Sequence, residues 1–154
     1  MVRVAIAGAA GRRGRALVEA ITHSETDIAV SVATVLADDP TLGVDVGLLA
    51  VGSALGVESV AELDSVRDEF DVLIDFTAPD ATLQHLILCQ QNRKAMVIGT
   101  TGFSESQQQL IANTAEIIPI VFAPNMSIGV NLCFNLLEQA ARVLGDDVDI
   151  EIIE

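Results

Sequence analysis

A chain of 154 residues, 51% of them hydrophobic, is long enough to bury one core and too apolar to be disordered along its length. Its 22 acidic against 8 basic residues, a net charge of −14, exclude nucleic acid and an anionic membrane as partners, because phosphate-rich surfaces would repel it. A small-molecule ligand is the expectation. No apolar run approaches a membrane span, and the run before Arg12 is too short for a signal-peptide core, so a cytoplasmic protein is expected. Cys89 and Cys133 lie in apolar runs without metal-ligand neighbours and read as core thiols; no metal site is expected.

Val2-Arg3-Val4-Ala5-Ile6-Ala7 breaks into Gly8-Ala9-Ala10-Gly11-Arg12-Arg13-Gly14-Arg15 and continues as a helix with Leu17, Ala20 and Ile21 on one side. Strand, glycine turn and helix bring backbone N–H groups and a positive helix end to one point, a ready site for a pyrophosphate. Arg12, Arg13 and Arg15 put three of the eight basic residues beside it, which points to a bound anion rather than a bare strand-to-helix connection. The β-branched run Ile28 to Val35 gives a second strand. Ala37 to Gly56, with four glycines and little periodicity, reads as a long loop with a turn of helix. A short strand at Val57 to Ser59 and a helix over Ala61 to Glu69 follow, then a buried strand over Asp71 to Phe76.

Pro79 opens a helix through about Asn92. Ala95 to Ile98 is the next strand, ending in Gly99-Thr100-Thr101-Gly102. Ser104 with Gln107 three residues on marks a capping box for a helix through Ala115. Pro119 to Phe122 is one more strand, closed by Ala123-Pro124-Asn125-Met126-Ser127. Alternating strands and helices predict a parallel, doubly wound α/β sheet with ligands at the carboxyl ends of its strands. Gly8, Phe76-Thr77, Gly99 to Thr101 and Ala123 to Met126 all fall there. His23 and His85 stand without a partner at metal or triad spacing and read as structural. Asp71, Asp75 and Asp80 read as caps or solvated strand ends.

From Ser127 to Leu144 a helix carries Cys133, Leu136, Leu137, Ala140, Ala141 and Leu144 on one side, with Gly145 to end it. Val148-Asp149-Ile150-Glu151-Ile152 alternates apolar with acidic, the pattern of a half-exposed strand. The expected division is therefore a dinucleotide-binding domain over 1–126 and, over 127–154, the first helix and strand of a second α+β domain.

Val4 to Gly14, Asp75-Phe76-Thr77, Val97-Ile98-Gly99-Thr100-Thr101-Gly102-Phe103 and Ala123-Pro124-Asn125-Met126-Ser127-Ile128-Gly129-Val130-Asn131 together resemble the dihydrodipicolinate reductase family. The glycine turn alone would be weak evidence; the last two motifs, in order after it, are specific. The resemblance implies a Rossmann-like domain and the cofactor NADH or NADPH. It implies hydride transfer to a dehydrated cyclic dicarboxylate in lysine and diaminopimelate synthesis, and a homo-oligomer, a tetramer in the complete family. It assigns Gly8, Ala9, Ala10, Gly11, Arg12 and Arg13 to the pyrophosphate and its surroundings. Gly99, Thr100 and Thr101 go to the nicotinamide side, Thr101 also to the substrate, and Ala123, Pro124, Asn125 and Met126 complete the cofactor pocket.

Two departures qualify the match. The family's ribose-binding acid at the end of the second strand is replaced by Val35 and Leu36, leaving Asp38 and Asp39 nearby as substitutes that would favour NADH, since a 2′-phosphate would be repelled. The family's His-rich segment with its proton-donating His and Lys would begin just after Glu154, so no residue here is assigned as catalytic and turnover by the isolated chain is not expected. The apolar side of the last helix is expected to lack its covering sheet. The rival readings are a nucleotide-binding module without catalysis and a truncated or decayed reductase without activity.

Overall fold

The computed structural model describes residues 1–145 and 148–151. Compactness divides the chain into Met1–Phe122 and Ala123–Glu154, four residues before the boundary expected from the sequence. In the first unit β1 (Val2–Ala7), α1 (Arg12–Thr22), β2 (Ile28–Thr34), α2 (Val46–Ala50) and β3 (Ser59–Val60) are followed by β4 (Val72–Asp75), α3 (Pro79–Gln91), β5 (Ala95–Ile98), α4 (Glu105–Ala115) and β6 (Ile120–Phe122). All six strands are parallel, in the order β3-β2-β1-β4-β5-β6. The order reverses beside β1, so the crevice where a doubly wound sheet takes its ligand lies at the carboxyl ends of β1 and β4.

Strand β1 buries both faces, as a central parallel strand must. Val4 and Ile6 pack with Val18 and Ile21 of α1 and with Val46 of α2. Ala5 and Ala7 join Phe70, Leu73, Met96 and Ile98, under Leu86 and Cys89 of α3 and Ile111 of α4. In α1 the buried positions are Gly14, Val18 and Ile21, so Val18 takes the inward place expected for Ala20, which is exposed. The two lie two steps of about 100° apart, on nearly opposite sides of the helix, and the larger side chain gains more by burial.

Ser104 caps α4 through the expected capping box with Gln107. The helix expected over Ala61 to Glu69 is only a 3-10 turn, Leu63–Val66. There the Ser65 hydroxyl donates back to the Glu62 carbonyl at 2.7 Å, the competition with longer helix that Ser and Asp bring. The long loop is organised by Asp45. Its Oδ1 accepts the N–H groups of Gly47 and Leu55 and its Oδ2 those of Gly56 and Val57, at 2.7 to 3.1 Å. The Leu55 N–H first, and then the others, hold the Asp45 carboxyl below its usual range against desolvation.

The second unit contains α5 (Ile128–Leu144), capped by the Ser127 side chain and ended at Gly145 with φ +59°. None of its residues is buried. Cys133 is exposed while Cys89 is buried, which corrects the reading of both as core thiols. Residues 148–151 form no strand, and Ile152, the last apolar position of the expected strand, lies outside the described residues. A strand is a ladder between two segments, and alternation without a partner does not make one. Among the described residues no helix is long and apolar enough to cross a membrane.

Candidate functional site

The turn after β1 is built by close backbone approach. Gly8 takes φ +69°, and a Cβ on Gly14 would fall 2.3 Å from the Gly8 carbonyl oxygen and 2.6 Å from Ala9 Cα. Any side chain at Gly14 would force α1 off the turn. Gly11 is the N-cap of α1, no side chain caps that end, and no acidic residue stands in its first turn. The first N–H groups of the helix are thereby left for a ligand. Arg12, Arg13 and Arg15 are exposed around it. Arg15 Nε donates to the Ala10 carbonyl at 2.9 Å, and the Arg13 guanidinium stands 5.6 Å from the centre of the Phe76 ring.

A cleft of about 630 Å³ opens beside this turn. Gly8, Ala10 and Gly11 line one end, Val35, Leu36 and Asp39 one wall, and Ala81, Gln84, His85 and Leu88 of α3 the other, with Leu63 and Thr77 between. Positions 81, 84, 85 and 88 follow the i, i+3, i+4, i+7 spacing of one helix face. Of the residues assigned to the pyrophosphate and its surroundings, Ala9, Arg12 and Arg13 are not in the lining; Ala9 is 1% exposed and its N–H is spent on the Thr34 carbonyl at 2.9 Å. Asp39 lines the cleft and Asp38 does not. Thr41 donates its hydroxyl and its N–H to Asp39 Oδ1; these bonds, with the Arg15 charge, hold the Asp39 carboxyl below the usual range. At the end of β2, Val35 is buried and Leu36 is 74% exposed.

The turn after β5 meets the turn after β4. A Cβ on Gly99 would lie 1.9 Å from Phe76 Cε1, so the Phe76 ring occupies the space a side chain would need. Thr100 is buried and accepts from the Thr82 hydroxyl at 2.9 Å; Thr101 is exposed. Gly99, Thr100 and Thr101 stand outside the cleft lining. Ala123, Pro124, Asn125 and Met126 belong to the second unit, where Asn125 accepts the Ser127 N–H at 2.8 Å and its carbonyl accepts from the Asn131 amide at 2.9 Å.

One group escaped the sequence reading. Asp75, read as a solvated cap, is fully buried. It does cap the turn, accepting the Thr77 N–H at 2.8 Å and the Thr77 hydroxyl at 2.6 Å on Oδ1. Its Oδ2 lies 2.7 Å from His85 Nδ1. Burial pushes the carboxyl up, but the His85 and Thr77 hydrogen bonds outweigh it and hold Asp75 below its usual range. His85, read as partnerless, therefore has a partner ten residues away. The signal available was the motif Asp75-Phe76-Thr77 itself, an acid at the end of a buried strand. Among the described residues no cluster of His, Cys, Asp and Glu is placed to hold a metal ion.

Comparison with known proteins adds to this geometry. The family model described as "Dihydrodipicolinate reductase, N-terminus" matches residues 2–126. The chain belongs to the dihydrodipicolinate reductase family. It is 49% identical, over all 154 residues, to 4-hydroxy-tetrahydrodipicolinate reductase of Hahella chejuensis (strain KCTC 2396), and covers 57% of that protein. The structure of dipicolinate-bound dihydrodipicolinate reductase from Paenisporosarcina sp. TG-14 is similar at TM-score 0.71 and 30% identity, over 92% of this chain and 54% of that one. Scyllo-inositol dehydrogenase from Lactobacillus casei, solved with NAD(H) and scyllo-inositol, matches at TM-score 0.62 and 21% identity, over 95% and 43%, a likeness of fold alone. The chain thus spans little more than half the length of the dihydrodipicolinate reductases it matches, and its fold is the Rossmann type of their N-terminal part.

Proposed function

We propose that this chain is the nicotinamide-dinucleotide-binding portion of a dihydrodipicolinate reductase of lysine and diaminopimelate synthesis, a cytoplasmic homo-oligomer when complete. The observation that carries the reading is the uncapped, arginine-flanked N-terminus of α1, which meets Gly8 and Gly11 at the end of the cleft. The turn fits a pyrophosphate: at Gly14 a Cβ has no room, and the helix start leaves its N–H donors for two phosphates. A dinucleotide held there would supply the hydride for reduction of a dehydrated cyclic dicarboxylate, which also takes up a proton. The protein's part is positioning and electrostatics.

Gly8, Ala10 and Gly11 would hold the pyrophosphate, with Arg12 and Arg13 as the surrounding positive charge. Ala9 would act through its packing, since its N–H is committed to Thr34. Gly99, Thr100 and Thr101 are assigned to the nicotinamide side, and Thr101 to the substrate, on the family motif. Ala123, Pro124, Asn125 and Met126 are assigned to the cofactor on the same ground. Asp39 in the cleft favours NADH over NADPH, because its carboxylate would meet the 2′-phosphate of NADPH with like charge.

Calorimetric titration with NADH and NADPH tests the reading. At Gly11 an added Cβ would meet only the Gly8 carbonyl oxygen, at 3.3 Å, so Gly11→Val should fold and lose binding. Equal binding by the parent and by Gly11→Val would remove the pyrophosphate from this turn.

A further inference from the structure

The hydroxyls and the carboxylate that meet between β4, α3 and β5 have no part in the function proposed so far. Asp75, Thr82 and Thr100 are all buried. Thr82 lies near the start of α3 and Thr100 in the turn after β5, and the Thr82 hydroxyl donates to Thr100 Oγ1 at 2.9 Å. A hydroxyl has a single hydrogen, and a carboxylate only accepts. With the Thr82 hydrogen given to Thr100, the Thr100 hydrogen is left for Asp75 Oδ1, 3.5 Å away. The bonds therefore run one way, from α3 through the β5 turn to the end of β4. Thr77 and His85 hold the two oxygens of the final acceptor, so the carboxylate is fixed toward Thr100.

Buried polar groups cost stability unless each is paired, and valines at 82 and 100 would fill nearly the same space without that cost. What the hydroxyls add is direction, because a satisfied buried network admits one arrangement. Its effect falls on Gly99-Thr100-Thr101. The Phe76 ring closes the Gly99 side, the Gly99 N–H donates to the Asp75 carbonyl at 2.9 Å, and the Thr100 side chain is committed to Thr82. Thr101, the next residue, is exposed. With a pyrophosphate at the end of β1, one half of a dinucleotide lies in the cleft on the β2 side and the other runs across β4 toward the end of β5. That is where the family motif puts the nicotinamide.

We propose, resting on the dinucleotide reading above, that Thr100 serves the nicotinamide side by shaping the turn and not by side-chain contact. Its hydroxyl, held by Thr82 and Asp75, sets the turn that presents Thr101, and Thr82 and Asp75 are positioning residues of that turn. Thr82→Val removes the donor at nearly constant volume. Thr82→Ser keeps the donor and drops a methyl group, and Thr100→Val breaks the same bond from its other end.

The measurement is calorimetric titration of the parent, these variants and the double variant Thr82→Val/Thr100→Val with NADH and with ADP-ribose, which lacks the nicotinamide, beside thermal unfolding of each. The parent should bind NADH more tightly than ADP-ribose. In Thr82→Val, NADH binding should weaken about fivefold, the weight of one hydrogen bond, with ADP-ribose binding unchanged, and Thr82→Ser should return the NADH affinity. Thr100→Val and the double variant should match Thr82→Val, since the two residues act through one bond. Parent-like NADH binding by a folded Thr82→Val would overturn the proposal and leave the dinucleotide reading standing. A larger loss in Thr100→Val would also overturn it, because the Thr100 side chain would then touch the ligand itself. Equal losses for NADH and ADP-ribose would do the same by placing the effect on the fold as a whole, and so would equal parent affinities for the two, which leave no nicotinamide contact for the turn to set. If both valine variants fail to fold, the parent decides by amide chemical shifts: NADH should move the Thr100 and Thr101 amides where ADP-ribose does not, and no such difference would overturn the proposal. A parent chain that binds neither ligand would overturn both this proposal and the dinucleotide reading.

Discussion

At Val35 and Leu36 the difference of one residue decides what an acidic substitution does. The Val35 side chain is buried and its N–H is bonded to the Val60 carbonyl at 3.0 Å, so Val35→Glu would bury a charge and cost about 3 kcal/mol or more in stability. Leu36 is exposed in the cleft wall. Leu36→Glu should therefore leave the melting temperature nearly unchanged and tighten NADH binding by about 1.5–3 kcal/mol, the value of a hydrogen bond to a charged group. Calorimetry checks this, and no gain would mean that Asp39 already serves the ribose. Gly99 makes a second prediction at this scale. Gly99→Ala would drive a methyl group into the Phe76 ring and should lower stability by about 1–3 kcal/mol. Phe76→Leu should relieve part of that loss in a double-mutant cycle followed by thermal unfolding.

Among the elements, the Asp45 loop and the strand-end turns show what was legible in the sequence and why. The capping box of α4 lies within four residues, so Ser104 and Gln107 announce it. The strands of the parallel sheet announce themselves as apolar runs, and the glycine turn by its spacing. Asp45 gathers N–H groups from Gly47, Leu55, Gly56 and Val57, and Asp75 meets His85 across a turn and two turns of α3. Nothing in local periodicity encodes either contact, because both arise only after the flanking elements have packed. Asp45→Ala should speed amide exchange at all four of those N–H groups while leaving β1 and β4 protected. Unchanged protection at Gly56 and Val57 would show that the loop is held by its own turns instead. Helix α5 illustrates the other kind of difficulty: its amphipathic pattern is legible in its own residues, yet Cys133, expected as a core thiol on that pattern, is exposed.

For the whole molecule, the carboxylates tie stability to pH in one direction. Asp71, hydrogen-bonded by the Arg3 side chain and backbone N–H, is held down at about 2, and Asp39, Asp45 and Asp75 are also lowered. A carboxyl lowered by folding stabilises the protein above its unfolded value of about 3.9 and loses that contribution as pH falls through the folded value. The melting temperature should thus be flat above about pH 5 and fall steadily toward pH 2. In Asp71→Asn that fall should be shallower, and a parallel decline in parent and variant would mean that the Arg3 pair contributes nothing. Whether the glycine turn and its cleft take a nicotinamide dinucleotide is read out by mapping amide chemical shifts while NADH is titrated into the labelled chain. NADH should shift the amides at Gly8 to Arg15, at Val35 to Asp39 and along Thr77 to Leu88. Shifts confined to the separate groove between Ser31, Asp45, Gly56 and Glu69, or no shifts at millimolar NADH, would contradict it.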